Sequence, residues 1–237
     1  MEQTNTVQNS MVQNNMTQDE KLDWVRKYSA LPTGNISDAM DSLGLKRGIV
    51  LGLRPVEPTQ PRAAGFALTI QQMRRRTAWD NKNLARHSRI IDTETAPGDM
   101  LVIDMGGITD VSTGGDMLAL RAKLRGVSGE LTNGCLRDAD EIAAMGFPAY
   151  CAGTAPTKSA YDIETIGVNV PVMIGSVQIC PGDLILMDRT GVVSVPFGHI
   201  AAVYEKAASI AAFEDRVVEF LKEGKSLTEA RKAAAVN

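Results

Sequence analysis

Residues 97–140 read PGDMLVIDMGGITDVSTGGDMLALRAKLRGVSGELTNGCLRDAD. The turn Pro97-Gly98-Asp99 leads into an unbroken apolar run, Met100 to Ile103, closed by Asp104. Such a run predicts a strand buried on both faces. Asp116 to Arg125 has helical spacing, with Met117, Leu120 and Leu124 on one face. Val127 to Leu131 reads as a second short strand, and Asp138 to Met145 as a short helix closed by Gly146 and Pro148. Strands alternating with helices point to an α/β fold.

Upstream, Asp19 to Tyr28 predicts a short amphipathic helix, broken at Leu31-Pro32-Thr33-Gly34. Asn35 to Leu43 reads as another, with Ser37 as N-cap and Gly44 as terminator. A loop through Pro55, Pro58 and Pro61 precedes a strand over Gly65–Gln71. Downstream, strands are expected at Ala149–Ala152 and in VPVMIG (170–175), VQI (177–179), LILMD (184–188) and VVSVP (192–196). His199 to Ala235 is helical, divided by Gly224. One echo links the two halves: Pro97-Gly98-Asp99…Asp104 reappears as Pro181-Gly182-Asp183…Asp188. It reads either as two similar turn-strand units or as a sign that Asp104, ahead of a glycine-rich loop, lines a site.

Composition narrows the function classes. The chain has 237 residues, 44% of them hydrophobic and 22% charged, which is too apolar for disorder. A globule of this size exposes roughly 10,000 Å² where its unfolded chain exposes roughly 37,000 Å², so no disulfide or structural metal is needed for folding. A pI near 5.5 argues against a general nucleic-acid binder, and no apolar run is long enough to span a membrane. Three irregularly spaced cysteines and two histidines, His87 and His199, argue against a zinc site and suit a reducing, cytoplasmic location. Residues 1–20 are Gln/Asn-rich, fit neither a signal peptide nor a transit peptide, and read as a disordered tail. That tail holds Glu2, Asp19 and Glu20 and no base, so it carries the whole net charge of -3 and leaves 25 residues of each sign in the body. Attraction for an acidic substrate must then come from placed groups rather than a global field.

Two segments place such groups. Gly114-Gly115-Asp116-Met117-Leu118 puts backbone N–H groups at a helix N-terminus, where donors and helix dipole favour a small carboxylate or phosphate. The bland alternative is a helix start capped by Thr113 or Asp116. Asn133-Gly134-Cys135-Leu136-Arg137-Asp138 falls between a strand and a helix, where α/β folds gather ligand groups. Arg137 suits a carboxylate bidentately, and Asp138 suits a hydrated magnesium ion. Here the alternative is a local Arg-Asp surface pair with Asp138 as N-cap. Anion cradle, arginine and hydrated metal together suit a small 2-oxo acid whose carbonyl is polarised as an adjacent bond breaks. No lysine stands where a Schiff base would need it.

These segments, with NISDAMDSLG (35–44), GLRPVEP (52–58), APGDMLVIDMGG (96–107), GGDMLA (114–119), NGCLRDADEI (133–142) and residues 168–196, resemble the RraA-like family. That family includes class II 4-hydroxy-4-methyl-2-oxoglutarate/4-carboxy-4-hydroxy-2-oxoadipate aldolases and ribonuclease E regulators. The aldolase branch is marked by Asp, twenty residues, then Arg-Asp, and Asp116 with Arg137-Asp138 fits that spacing. The regulator branch typically lacks the first acid. The resemblance implies an α/β fold, a swivelling β/β/α sandwich over residues 21–198 with a helical C-terminal arm at 199–237. It further implies a magnesium- or manganese-dependent lyase that releases pyruvate from a 4-hydroxy-2-oxo acid, with oxaloacetate decarboxylation as a side activity. Arg137, Asp116 and Asp138 would be catalytic. Gly115, the amides of Met117 and Leu118, and Arg137 would bind substrate. Asp138 would hold the metal directly, Asp116 through water, and Glu214 would reach it from a neighbouring subunit of a homotrimer or homohexamer. A regulator-like protein, or a lyase or hydro-lyase on another anionic hydroxy acid, are the alternatives. Two departures stand out: Gly114 where the family often has an aromatic residue, and the basic stretch Arg74–Arg89, which reads either as a second carboxylate site or as a solvated face.

Overall fold

The apolar run at Met100–Ile103 is the central strand of a nine-stranded sheet. The computed structural model describes residues 16–78 and 80–236. Its helices are α1 (Gln18–Ser29), α2 (Thr33–Ser42), α3 (His87–Glu94), α4 (Asp116–Leu124), α5 (Ala139–Ala144), α6 (Ile200–Lys222) and α7 (Leu227–Ala234). Its strands are β1 (Ile49–Val50), β2 (Arg54–Pro55), β3 (Ala63–Arg74), β4 (Asp99–Asp104), β5 (Ser112–Gly114), β6 (Gly129–Thr132), β7 (Cys135–Leu136), β8 (Ala149–Cys151), β9 (Gly153–Thr154), β10 (Ile163–Val168), β11 (Val172–Ile174), β12 (Val177–Ile179), β13 (Leu184–Asp188) and β14 (Gly191–Val195).

The main sheet runs β1-β14-β13-β3-β4-β6-β8-β2, with β10 also paired to β3. Strands β3, β4, β6 and β8 are mutually parallel. Every residue of β4 is buried, and its side chains alternate between two cores. Leu101 and Ile103 face α3, α4 and α5 through Ile90, Ile91, Ala119, Ala122 and Ile142. Met100 and Val102 face Leu131, Tyr150 and the β11–β12 ribbon. A third core joins Phe66, Leu184 and Leu186 to α1, α2 and α6 through Tyr28, Ile36, Met40 and Val203.

The site is positioned by a second, small sheet. Strands β5, β7 and β9 form a parallel three-stranded sheet. Each comes directly after a main-sheet strand, β5 after β4, β7 after β6 and β9 after β8, in the same spatial order. Their C-terminal ends therefore lie side by side, carrying Gly114-Gly115, Arg137-Asp138 and Thr154-Ala155.

The echoed turns are structural twins. Gly98 and Gly182 both have left-handed φ, +84° and +82°. Asp99 accepts from the Ala96 amide at 2.6 Å and Asp183 from the Cys180 amide at 2.8 Å, closing the same turn. Burial pushes both carboxyls up, Asp183 to about 6. The acids that close the two strands are also committed. Asp104 accepts from the Gly106 amide (2.8 Å), Asn133 Nδ2 (2.7 Å) and the Met173 amide (3.2 Å). Asp188 accepts from the Thr33 amide (3.0 Å) and hydroxyl (2.8 Å) and from the Thr190 amide (2.8 Å). Asp104 thus fastens strands to one another, and the plain reading of the echo holds. Asp188 caps α2 from a distant strand. The helix accordingly starts at Thr33 rather than at Ser37, with Gly44 (φ +67°) just beyond its end as expected.

At the N-terminus, Thr17 and Glu20 form a reciprocal capping box, so α1 begins at Gln18, inside the stretch read as a tail; residues 1–15 lie outside the described residues. The stripe Met117, Leu120, Leu124 on α4 faces outward, 77%, 46% and 72% exposed. Small residues, Ala119 and Ala122, pack that helix on the sheet instead. Among the described residues no helix is long and apolar enough to cross a membrane. The three cysteines are free, and burial raises their thiols, Cys151 to about 11.

Candidate active site

Gly115 ends the β5 segment and is the N-cap of α4, with an extended backbone (φ -153°, ψ -165°). Any residue adopts that conformation. What favours glycine there is contact with two neighbouring side chains. A Cβ would stand 2.8 Å from Arg137 Cγ and 2.9 Å from Arg137 Nε, and closer still to Asp138 Oδ2. The missing side chain leaves the room that the Arg137 and Asp138 side chains occupy beside the start of α4. The Arg137 amide donates to the Gly114 carbonyl at 3.0 Å, fixing the register of the two strand ends. At Gly114 a Cβ would meet Leu118 Cδ1 at 3.4 Å and His87 Nδ1 at 3.9 Å, so a methyl group fits there.

Asp138 occupies the N-cap position of α5 yet makes no side-chain cap hydrogen bond. Its backbone is left-handed (φ 53°, ψ 45°), a conformation uncommon outside glycine and costing of order 1–3 kcal/mol. This turns its carboxylate away from its own helix and toward Gly115. There Oδ2 lies 3.1 Å from Arg137 Nε and 3.4 Å from the Asp116 amide. The reading of Asp138 as a simple helix cap is therefore replaced by an acid held between an arginine and the positive end of a second helix.

Beside this contact opens a cavity of about 350 Å³ lined by Arg137, Asp138, Asp140, Glu141, Thr154 and Pro156, among others. Its wall carries one cation and three carboxylates. Arg137 and Asp138 are partly exposed to it, by 38% and 33% of their side chains. Sequence reasoning missed Thr154, Ala155 and Pro156, which close the third side. The signal was the tripled pattern itself, since β4, β6 and β8 are each succeeded by a short strand with a glycine in it or just before it.

Of the residues expected from the sequence, Gly115, Asp116, Arg137 and Asp138 are brought together. The cradle amides carry internal bonds: Met117 donates to its neighbour Asp116 Oδ1 at 2.7 Å, and Leu118 to the Gly115 carbonyl at 3.1 Å. A ligand carboxylate would take the Met117 amide over from Asp116. Glu214 lies on α6 and accepts from Asn35 Nδ2 at 2.8 Å, within the helical layer. Among the described residues no group of three or more His, Cys, Asp or Glu side chains is placed to hold a metal ion. In the basic stretch, Arg74 pairs with Asp110 and Asp162, Arg75 with Asp80, and Arg86 donates to the Thr165 carbonyl. These cations serve the fold's own contacts, as a solvated face would; Trp79 lies outside the described residues.

The family model described as RraA-like (Aldolase/RraA) matches residues 33–194. The chain belongs to the RraA-like family. A relative in Halalkalibacterium halodurans, named "Putative 4-hydroxy-4-methyl-2-oxoglutarate aldolase", is 34% identical over 188 residues, 79% of this chain and 83% of that one. Further relatives of that printed name are matched over 57–64% of their own length. Among solved structures, an uncharacterized protein from Pseudomonas syringae is similar at TM-score 0.77 and 28% identity, covering 89% of this chain and 97% of that one. RraAS2 of Streptomyces coelicolor, described as an unusual member of the RNase ES inhibitor RraA protein family, is similar at TM-score 0.71 and 28% identity, covering 81% and 94%. The RraA-like match takes in α2, both sheets and every residue of the Gly115–Arg137–Asp138 contact, and it stops before the C-terminal helices.

Proposed function

We propose that this RraA-like chain is a divalent-metal-dependent lyase that cleaves a 4-hydroxy-2-oxo di- or tricarboxylic acid to pyruvate and a carbonyl product. The observation that carries the reading is Asp138: a left-handed acid turned from its own helix onto Arg137 and the amide end of α4. The left-handed backbone, which aspartate tolerates better than most residues, is what aims the carboxylate across to the second helix.

The donor set fits a hard divalent cation. It offers oxygen ligands only, and one protein carboxylate suffices for a magnesium ion that keeps most of its water. Asp138 would hold the ion directly and Asp116 through water, with Glu214 of a neighbouring subunit as a further ligand. The cavity wall carries three carboxylates against one guanidinium, a balance that repels an anionic substrate and that a cation held at Asp138 would offset. Bound there, magnesium or manganese would polarise the 2-oxo carbonyl and stabilise the charge that develops on its oxygen.

The chain's own groups do the rest. The α4 N-terminus at Gly115–Leu118 receives the carboxylate of the pyruvyl half, with its dipole aligned to the charge. The Arg137 guanidinium donates to the carbonyl oxygen, holding it while the C3–C4 bond breaks, the 4-hydroxyl becomes a carbonyl and C3 regains a proton. Oxaloacetate, losing carbon dioxide from the same carbon, would react at the same groups. The outward stripe on α4 supports assembly into the trimers or hexamers that Glu214 requires. The likeness to the Streptomyces protein supports a second reading, a regulator that binds an RNA-processing enzyme. Asp116 favours the lyase. The test is pyruvate release from 4-hydroxy-4-methyl-2-oxoglutarate and oxaloacetate with magnesium and with EDTA. Magnesium-dependent release is expected. Turnover indifferent to EDTA overturns the metal, and no turnover across a panel of oxo acids, with a stoichiometric nuclease partner, supports the regulator.

A further inference from the structure

Behind the Gly114–Gly115 loop lie three polar side chains from three different elements, all buried: Gln72 of β3 (2% exposed), His87 at the start of α3 (6%) and Thr113 of β5 (0%). Their hydrogen bonds form one consistent set, in which Thr113 Oγ1 also stands 3.4 Å from His87 Nε2. The Thr113 hydroxyl donates to Gln72 Oε1 at 2.8 Å. That fixes the amide, so Gln72 Nε2 is the donor toward His87 Nε2 at 3.1 Å and toward Thr165 Oγ1 at 3.2 Å. Thr165 spends its own hydrogen on the Ala85 carbonyl at 2.5 Å, so it accepts from Gln72. His87 Nε2 must then accept, which puts the ring proton on Nδ1. Nδ1 lies against the loop backbone, 3.9 Å from where a Gly114 Cβ would stand, and the Thr113 backbone is the ring's hydrogen-bond partner on that side. The ring of bonds closes there, from Thr113 hydroxyl to Gln72 to His87 and back to Thr113.

The closure matters because Gly114 and Gly115 come next in the chain. Two glycines in a row leave the backbone free to adopt many shapes. Here it is tied at both ends: the Thr113 backbone to His87, and the Gly114 carbonyl to the Arg137 amide at 3.0 Å. The buried ring thus reaches both the α4 cradle and the arginine through one peptide. Burial keeps His87 neutral by lowering its pKa to about 4, which suits the arrangement. A protonated ring would aim a second N–H at the Gln72 amide.

We infer that His87, with Gln72 and Thr113, is a positioning residue that holds the Gly114–Gly115 backbone in the shape a substrate carboxylate needs, an inference that builds on the lyase reading above. The carboxylate is held alike before and during bond breaking. Loosening its cradle should therefore raise KM and spare kcat, whereas a residue that merely supports the fold would lower the amount of active protein without changing KM.

The experiment has two arms on the full chain. The first uses no substrate: long-range 1H–15N NMR of His87 and hydrogen exchange of the loop amides. We expect the neutral Nδ1–H tautomer from pH 8 to pH 5. We expect His87→Phe to speed exchange at Gly114 and Gly115 at least tenfold relative to β13. His87→Asn, whose side-chain amide stands where Nδ1 stood, should restore wild-type exchange. The second arm is kinetic: His87→Phe should raise KM for the oxo acid about tenfold with kcat within threefold, and His87→Asn should leave KM within threefold. Should the Phe variant not fold, Thr113→Val, which removes only the hydroxyl, carries the test with a smaller effect, about threefold in both readouts. An Nε2–H tautomer, unchanged loop exchange in the variants, or a fall in kcat at constant KM overturns the inference. A wild-type protein that turns over no oxo acid overturns the lyase reading alone, and the first arm still decides the ring.

Discussion

Replacing Gly115 by alanine adds one methyl group where Arg137, Asp138 and α4 meet. The new Cβ would lie 2.8 Å from Arg137 Cγ and 2.9 Å from Arg137 Nε, with Asp138 Oδ2 nearer still. Ordinary contact begins near 3.4 Å, so the Arg137–Asp138 pair must retreat by roughly 0.6 Å or more. Overpacking of this kind costs about 1–3 kcal/mol of stability, which a fold with three buried cores tolerates. The functional cost is larger in proportion, because displacing reacting groups by ~1 Å costs about 100-fold. We expect Gly115→Ala to lower kcat/KM by roughly 30–100-fold, about 2–3 kcal/mol of transition-state stabilisation. Gly114→Ala is the comparison. Its Cβ meets nothing closer than 3.4 Å, so a loss under about fivefold is expected. Pyruvate release coupled to lactate dehydrogenase measures both, with thermal melting to confirm the fold. A Gly115→Ala enzyme within threefold of wild type, or equal losses from the two substitutions, would refute the reasoning.

Three other residues give equally definite expectations. Glu130 is buried without a partner for Oε1, and burial raises its carboxyl from 4.5 to about 7. The folded chain therefore holds that proton more tightly than the unfolded chain, and the associated stability is complete below pH 4.5 and lost by about pH 7. Glu130→Gln cannot ionise, so it should melt about 6–10 °C above wild type at pH 8, where the penalty is about 3 kcal/mol, and match it at pH 5; a pH-independent difference would count against this. Asp188→Ala strips the cap from α2 and leaves two buried Thr33 groups unpaired, so urea denaturation should show a loss of about 3 kcal/mol, and a loss below ~1 kcal/mol would contradict the remote cap. Arg137→Lys keeps the charge but not the fork of donors; kcat/KM should fall about 100-fold, and near-wild-type kinetics would remove Arg137 from the carbonyl.

Much of the main sheet was legible because its strands are long apolar runs between glycine or proline turns, as at Met100–Ile103 and Leu184–Met187. The site residues Gly115, Asp116, Arg137 and Asp138 were legible from spacing and resemblance. The small sheet that brings them together was not. Ser112–Gly114, Cys135–Leu136 and Gly153–Thr154 are two or three residues long, too short to show alternation. Helix α3 was hidden at the end of a charged stretch, and the helix buries only His87, Ile90 and Ile91. On α4, periodicity found the helix but not its inner face, because alanines rather than leucines meet the sheet. Ser37 was a reasonable cap by local rules, and no local rule could see Asp188, 155 residues from Thr33. The carboxylate of Asp104 was similarly unreadable, since its partners Asn133 and Met173 are distant in sequence.

The most direct measurement is the rate of pyruvate formation from 4-hydroxy-4-methyl-2-oxoglutarate by wild type and Asp138→Asn at saturating magnesium. Asparagine preserves shape and backbone preference while removing the charge that would hold the cation. If Asp138 is the metal-bearing acid beside Arg137, turnover should fall by roughly 1,000-fold or more with the melting temperature little changed. An Asp138→Asn enzyme that retains turnover within threefold of wild type would contradict that role and the lyase mechanism built on it.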